Sequence, residues 1–115
     1  MLSNIHRFHG HGSLRYVYKN GQAVRSHFVT VKYTHNSHRK QSRFAVVVSK
    51  KVLKSAVGRN RIRRRIYEIV RNELPHFTSV HDVVIIAFTS ELATMSSEEL
   101  SEALKQLFDQ AGLYK

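Results

Sequence analysis

Apolar residues recur along the chain in two periods, one near 3.6 and one near 2, and the switches between them mark its elements. In SLRYVYKN, 13–20, Leu14, Val17 and Tyr18 fall at i, i+3 and i+4. That spacing predicts a short helix with Ser13 as its N-cap and Gly21 just past its end. The stretch 24–34, VRSHFVTVKYT, predicts a strand. In its second half Val29, Val31 and Tyr33 share one face, and Phe28, Thr30 and Lys32 share the other. A polar loop follows at 35–41, then a second strand at 43–50, RFAVVVSK, whose β-branched middle suits burial on both faces. These two strands and their loop have the pattern of an antiparallel hairpin.

A second helix is expected from an N-cap near Ser55 to Leu74, where Pro75 stops it. Ile62, Ile66, Ile69 and Val70 give it an apolar stripe. The run 80–89, VHDVVIIAFT, is apolar at its centre without alternation, as in a strand covered on both faces. The last helix has the clearest start. Ser96 and Glu99 make a capping box, Glu98 and Glu99 lie at the positive end of the helix dipole, and Leu100, Ala103, Leu104, Leu107 and Phe108 form the buried face. No repeat, low-complexity tract or linker interrupts the pattern. It reads as one α+β domain over 1–115, with 1–12 as a flexible N-terminal segment.

Composition removes several alternatives. With 115 residues, 42% of them hydrophobic, and a single proline, the chain is long and apolar enough for a core of its own. The absence of cysteine excludes disulfides and thiolate metal sites, and makes the cytoplasm the natural compartment. Val83 to Phe88 is the longest apolar run, far short of the ~20 residues of a spanning helix. The first residues lack the apolar stretch of a signal peptide, and no membrane partner is expected.

Charge then changes the picture. The net +11 is divided unevenly: residues 1–71 carry +16, with Glu68 as their one acid, and residues 72–115 carry −5. A solubilising charge would be mixed in sign over the surface, so the division points to a binding face for a polyanion and a solvated back. The densest stretch is Lys50 to Arg71, KKVLKSAVGRNRIRRRIYEIVR, with nine basic residues and one acid. At about 100° per residue, Ile62, Ile66, Ile69 and Val70 cluster on one side. Asn60, Arg61, Arg64, Arg65, Glu68 and Arg71 take the opposite arc, and Arg59 and Arg63 lie near the apolar edge. A guanidinium can bridge phosphate oxygens bidentately and stack on a base, which an ammonium cannot do. Ordinary solvated faces mix signs as i,i+4 pairs, and here only Glu68 can pair.

Ser49-Lys50-Lys51, Ala56-Val57 and Arg59-Asn60-Arg61-Ile62-Arg63-Arg64 closely resemble the RNR signature of the bacterial ribonuclease P protein component. The likeness extends over nearly the whole chain. Arg15 to Gly21 is similar to that family's first helix and turn, His81 to Ala87 to its last strand, and Leu104 to Tyr114 to its terminal helix. The resemblance implies an α-β-β-β-α-β-α sandwich with a left-handed βαβ crossover, like the second domain of ribosomal protein S5. One strand more than the periodicity gives is then needed, which places a break or a second short strand between residues 22 and 42. It also implies that cleavage belongs to a partner RNA, with magnesium in the RNA–protein holoenzyme and none held tightly by the protein alone. The implied partners are the ribonuclease P RNA and precursor tRNA, and the protein by itself is expected to be a monomer.

Carried over by position, Arg59, Asn60, Arg61, Arg63 and Arg64 match the signature, with Lys50, Lys51, Lys54 and Arg65 as further basic contacts to the RNA subunit. A cleft between the first helix and the sheet is implied to hold the single-stranded 5′ leader of precursor tRNA. Tyr18 falls on a usually aromatic position there. Leu14 and Val31 stand where aromatic residues are common, with Tyr33 two residues along on the same face. Tyr67 occupies a place often taken by an Arg, and Arg65 offers that charge from another angle.

Two other function classes fit less well. A protein-only nuclease needs clustered carboxylates for metals or a His pair for acid–base work, and the basic half has no acid pair. His6, His9 and His11 lack a fourth ligand or a helical spacing, and read as a solvated or RNA-contacting tail. The alternative from another class is a ribosomal or general structural RNA-binding protein without a role in cleavage.

Overall fold

A computed structural model describes residues 11–35, 42–77 and 80–114. Its elements are α1 (His11–Asn20), β1 (Gln22–Arg25), β2 (Val29–His35), β3 (Arg43–Val48), α2 (Ala56–Glu73), β4 (His81–Ala87) and α3 (Ser97–Gln110), with 3₁₀ turns at Leu74–His76 and Ser90–Ala93. The order α-β-β-β-α-β-α is the one the resemblance implies. The expected strand over 24–34 is two strands. At Ser26 to Phe28 the backbone turns, with the Ser26 side chain accepting hydrogen bonds from the amides of Phe28 and Val29, so β1 folds back antiparallel onto β2.

The expected hairpin between the second and third strands does not form. The sheet order is β1-β2-β4-β3, and β4 lies between the two. β2 pairs with β4 antiparallel, and β3 pairs with β4 in parallel. The reason is in the composition of β4: an apolar strand covered on both faces lowers its free energy most at the sheet's centre, where both its edges are also paired. The β3–α2–β4 unit supplies the crossover.

Alternation divides the sheet into two faces. Val29, Val31, Phe44, Val46, Val48, Val83, Ile85 and Ala87 face a core closed by Ile62, Ile66 and Val70 of α2 and Leu100, Leu104, Leu107 and Phe108 of α3. The other face carries Thr30, Lys32, Ala45, Val47, Val84 and Ile86, and α1 crosses it over β2 and β4. Val17 and Val84 are both fully buried there, apart from the main core. The layers are therefore α1, sheet, and α2 with α3.

The helix starts are made as the sequence expects at two of three places. Ser55 caps α2 by accepting from the Gly58 amide at 3.1 Å, and Ser96 caps α3 by accepting from the Glu99 amide at 3.1 Å. At α1 the helix begins at His11, so Ser13 lies inside it, and His11 and Gly12 of the N-terminal segment are its first two residues. The rest of that segment, residues 1–10, lies outside the described residues, as does the polar loop from 36 to 41. Gly21 follows α1 at once, for a reason other than a left-handed turn. A Cβ there would meet the Val17 carbonyl oxygen at 2.5 Å and the Tyr33 carbonyl oxygen at 3.1 Å. Only a glycine lets the end of α1 lie this close to β2.

Two further contacts tie the layers together. Arg43 and Asp82 form a buried bidentate pair between β3 and β4, at 3.0 and 2.8 Å. The Tyr114 hydroxyl donates to Glu73 Oε1 at 2.9 Å, joining the chain beyond α3 to the end of α2. Burial and that carboxylate hold the Tyr114 phenol well above its ordinary pKa.

Candidate nucleic-acid interface

α2 stands on its aliphatic side. Ile62, Ile66 and Val70 are fully buried, which turns the basic arc outward on a fixed support. The arginines of that arc do different things. Arg59 is half-buried and donates to the Leu53 and Lys54 carbonyls at 2.8 and 2.7 Å, which fastens the loop before α2 to the helix. Arg61 Nε donates to the Ala93 carbonyl at 2.8 Å. Arg65 donates to the carbonyls of Leu92, at 2.8 Å, and Met95. Together they hold the 3₁₀ turn Ser90–Ala93 against α2. Arg63 is bonded to the Asn60 side-chain oxygen, so Asn60 orients a neighbouring guanidinium. Arg64 is exposed and makes no hydrogen bond or ion pair among the described residues.

Farther along, Arg71 is held by Glu68, and that contact keeps the Glu68 carboxyl below its usual range. Tyr67 points the other way from the basic arc. Its hydroxyl accepts from the Val46 amide at 3.2 Å, on the free edge of β3. An open groove of about 390 Å³ separates Arg64, Arg65, Glu68 and Ile69 of α2 from Ser97 and Leu100 of α3. Exposed Glu98 and Glu99 come between Ser97 and Leu100 in the first turn of α3, so the basic surface of α2 gives way to acids across the groove. Lys50, Lys51 and Lys54 are exposed before α2 and continue that surface at its other end.

The second expected site is brought together only in part. Tyr18 is on the exposed flank of α1, and Lys32 of β2 reaches up to it. Lys32 Nζ donates to the Tyr18 carbonyl at 3.3 Å and lies 5.3 Å from the centre of its ring. Burial raises the Tyr18 phenol above its ordinary pKa. Leu14 is half-buried on the same helix. Val31 and Tyr33 do not line this cleft. They are on the opposite face of β2: Val31 is sealed in the core and Tyr33 packs against it, its hydroxyl donating to Gln22 Oε1 at 3.1 Å.

The floor beside α1 is made instead by Lys32 of β2, Ala45 and Val47 of β3 and Ile86 of β4, all half-buried. Sequence reasoning missed these residues, although the alternation of β2 already set Lys32 and Val31 on different faces. On the far flank of α1, Tyr16 is 59% exposed and was also missed. Among the described residues no three metal-ligating side chains converge, so these residues do not fit a magnesium cage. None of the described helices is long and apolar enough to cross a membrane.

The ribonuclease P family profile matches residues 2–112 of the chain. The ribonuclease P protein component of Clostridium kluyveri is 35% identical over 114 residues, covering 97% of this chain and 99% of that protein. Its counterpart from a Pseudanabaena species is 31% identical over 111 residues, covering 96% and 95%. Among solved structures, the Staphylococcus aureus RNase P protein superposes with a TM-score of 0.84 at 24% identity, over 96% of this chain and 98% of that one.

Proposed function

The chain belongs to the ribonuclease P protein family, the protein component of a tRNA-processing endoribonuclease, and we propose that it works there through two separate surfaces. The first is the basic face of α2 with Lys50, Lys51 and Lys54 before it. It docks on the RNA subunit, with Arg64 and the Asn60–Arg63 pair on phosphates and sugar edges, and the free donors of Arg61 beside them. Arg59 and Arg65 act chiefly by holding the flanking loops in place for that contact.

The second surface is the space between α1 and the sheet, which takes the single-stranded 5′ leader of precursor tRNA. Tyr18 offers a ring for a base, and Lys32 a charge for the backbone. Stacking on one ring contributes about 1–3 kcal/mol per base and accepts any base, which suits leaders of varied sequence. The cleavage chemistry and its magnesium belong to the RNA subunit, since the protein's own acids are few in its basic half. Before assembly the protein is a monomer of the cytoplasm.

The observation that carries this reading is the placement of a guanidinium unpaired among the described residues, Arg64, on a helix whose underside is fully locked in the core. The test is reconstitution with a bacterial ribonuclease P RNA at low magnesium. The protein is expected to raise precursor-tRNA cleavage and to bind long-leader precursors more tightly than leaderless tRNA. If it binds RNA but changes neither turnover nor leader dependence, it is a structural RNA-binding protein and this reading is wrong.

A further inference from the structure

The floor of the cleft does not end where α1 ends. Along β4 the residues turned toward α1 are Asp82, Val84 and Ile86, and by alternation Phe88 comes next on that side. Its amide N–H donates to the Phe28 carbonyl at 2.9 Å, so the β2–β4 ladder extends one residue past the strand and fixes the Phe88 backbone. Its ring is nevertheless 49% exposed, directly after the buried Ala87. A large ring held out on a fixed backbone is a surface and not a piece of core.

Its setting says what the surface suits. Val48 of β3 is paired with Ala87, so Ser49 runs alongside Phe88 and the exposed Lys50 and Lys51 follow at once. On the other side, exposed Arg25 lies across from Thr30, which is itself paired with Ile86. Phe88 therefore ends a half-buried floor that leads back under α1, with Lys50 and Lys51 just past the neighbouring strand and Arg25 two strands away. An apolar protein partner would have to bury those cations. A single strand of RNA meets them with phosphates and offers the ring a π-face.

We infer that Phe88 is a stacking platform for one further base of the leader, at the border between the cleft and the basic surface that docks the RNA subunit. This deepens the reading of the cleft as the leader site and rests on it. Phe88→Leu keeps the apolar bulk and removes the aromatic face, and Phe88→Trp keeps both.

The experiment uses the holoenzyme, with precursor tRNAs whose leaders lengthen stepwise and carry a fluorescent adenine analogue at one position at a time. One leader position should be quenched by the native protein and by Phe88→Trp, and brighten with Phe88→Leu. Affinity should fall about tenfold with Phe88→Leu, only for leaders that reach that position, with leaderless tRNA and RNA-subunit binding unchanged. No responding position, an equal loss for leaderless tRNA, or weaker binding of the RNA subunit would each overturn the inference. The two levels separate cleanly. A native protein without leader dependence removes the cleft reading and this one with it, whereas leader dependence unaffected by Phe88→Leu removes Phe88 alone.

Discussion

Arg64 and Arg65 are neighbours of one residue type with opposite duties. The Arg65 guanidinium is spent on the Leu92 and Met95 carbonyls, and Arg64 bonds to nothing among the described residues. Arg65→Ala should therefore lower stability by about 1–3 kcal/mol, the usual loss when charge-assisted bonds to carbonyls are removed, as read by thermal or urea unfolding. Arg64→Ala should leave unfolding unchanged, weaken binding to the RNA subunit, and reduce the salt slope of that binding by about one. If Arg64→Ala proved the destabilising one, the division of labour drawn along α2 would be wrong. The sequence treats these two residues alike because helical arithmetic gives an angle and not a neighbour. What distinguishes them is the turn Ser90–Ala93, about thirty residues away, which packs against one side of the arc only.

Among the α-helices, α1 is the shortest. It is 10 residues long and buries Val17 fully, and its end is set by the approach of Gly21 to β2. Gly21→Ala would drive a methyl into the Val17 carbonyl oxygen. Overpacking of this kind costs about 1–3 kcal/mol, and here it is relieved by lifting α1 from the sheet. The expected result is weaker binding of long-leader precursors with unchanged affinity for the RNA subunit, measured by titration against each. Equal loss in both would mean that the whole domain had moved. α2 and α3 were legible from their caps and stripes, since Ser55, Ser96 and the Ile and Leu spacings are local signals. The sheet order was not, because apart from the β1 hairpin β2 and β3 pair with nothing nearby in sequence. Their common partner is β4, and no periodicity in residues 24–50 encodes it. The turn at Ser26 was hidden for a related reason: Val24 and Val29 keep the strand's composition on both sides of it.

At the scale of the whole molecule, charge and core are arranged back to back. The surface of α2 and the turn before it is basic, and the acids gather on α3, across the groove lined by Ile69 and Leu100. Binding to the RNA subunit should then be strongly salt-dependent. With six to eight phosphates neutralised, affinity should drop on the order of 10³-fold or more between about 50 and 200 mM salt. A slope of one or two in a log–log plot would instead confine the contact to a corner of this surface. The position of β4 has a different kind of consequence, one of timing. The strand that joins the sheet is the last of the four to leave the ribosome, on the order of seconds after β2. Until then the nascent chain has its arginines but neither of its sheet faces, and its valines and isoleucines have nothing to cover them. A chain that stops at Phe77 would carry the entire basic helix and be unable to fold around it.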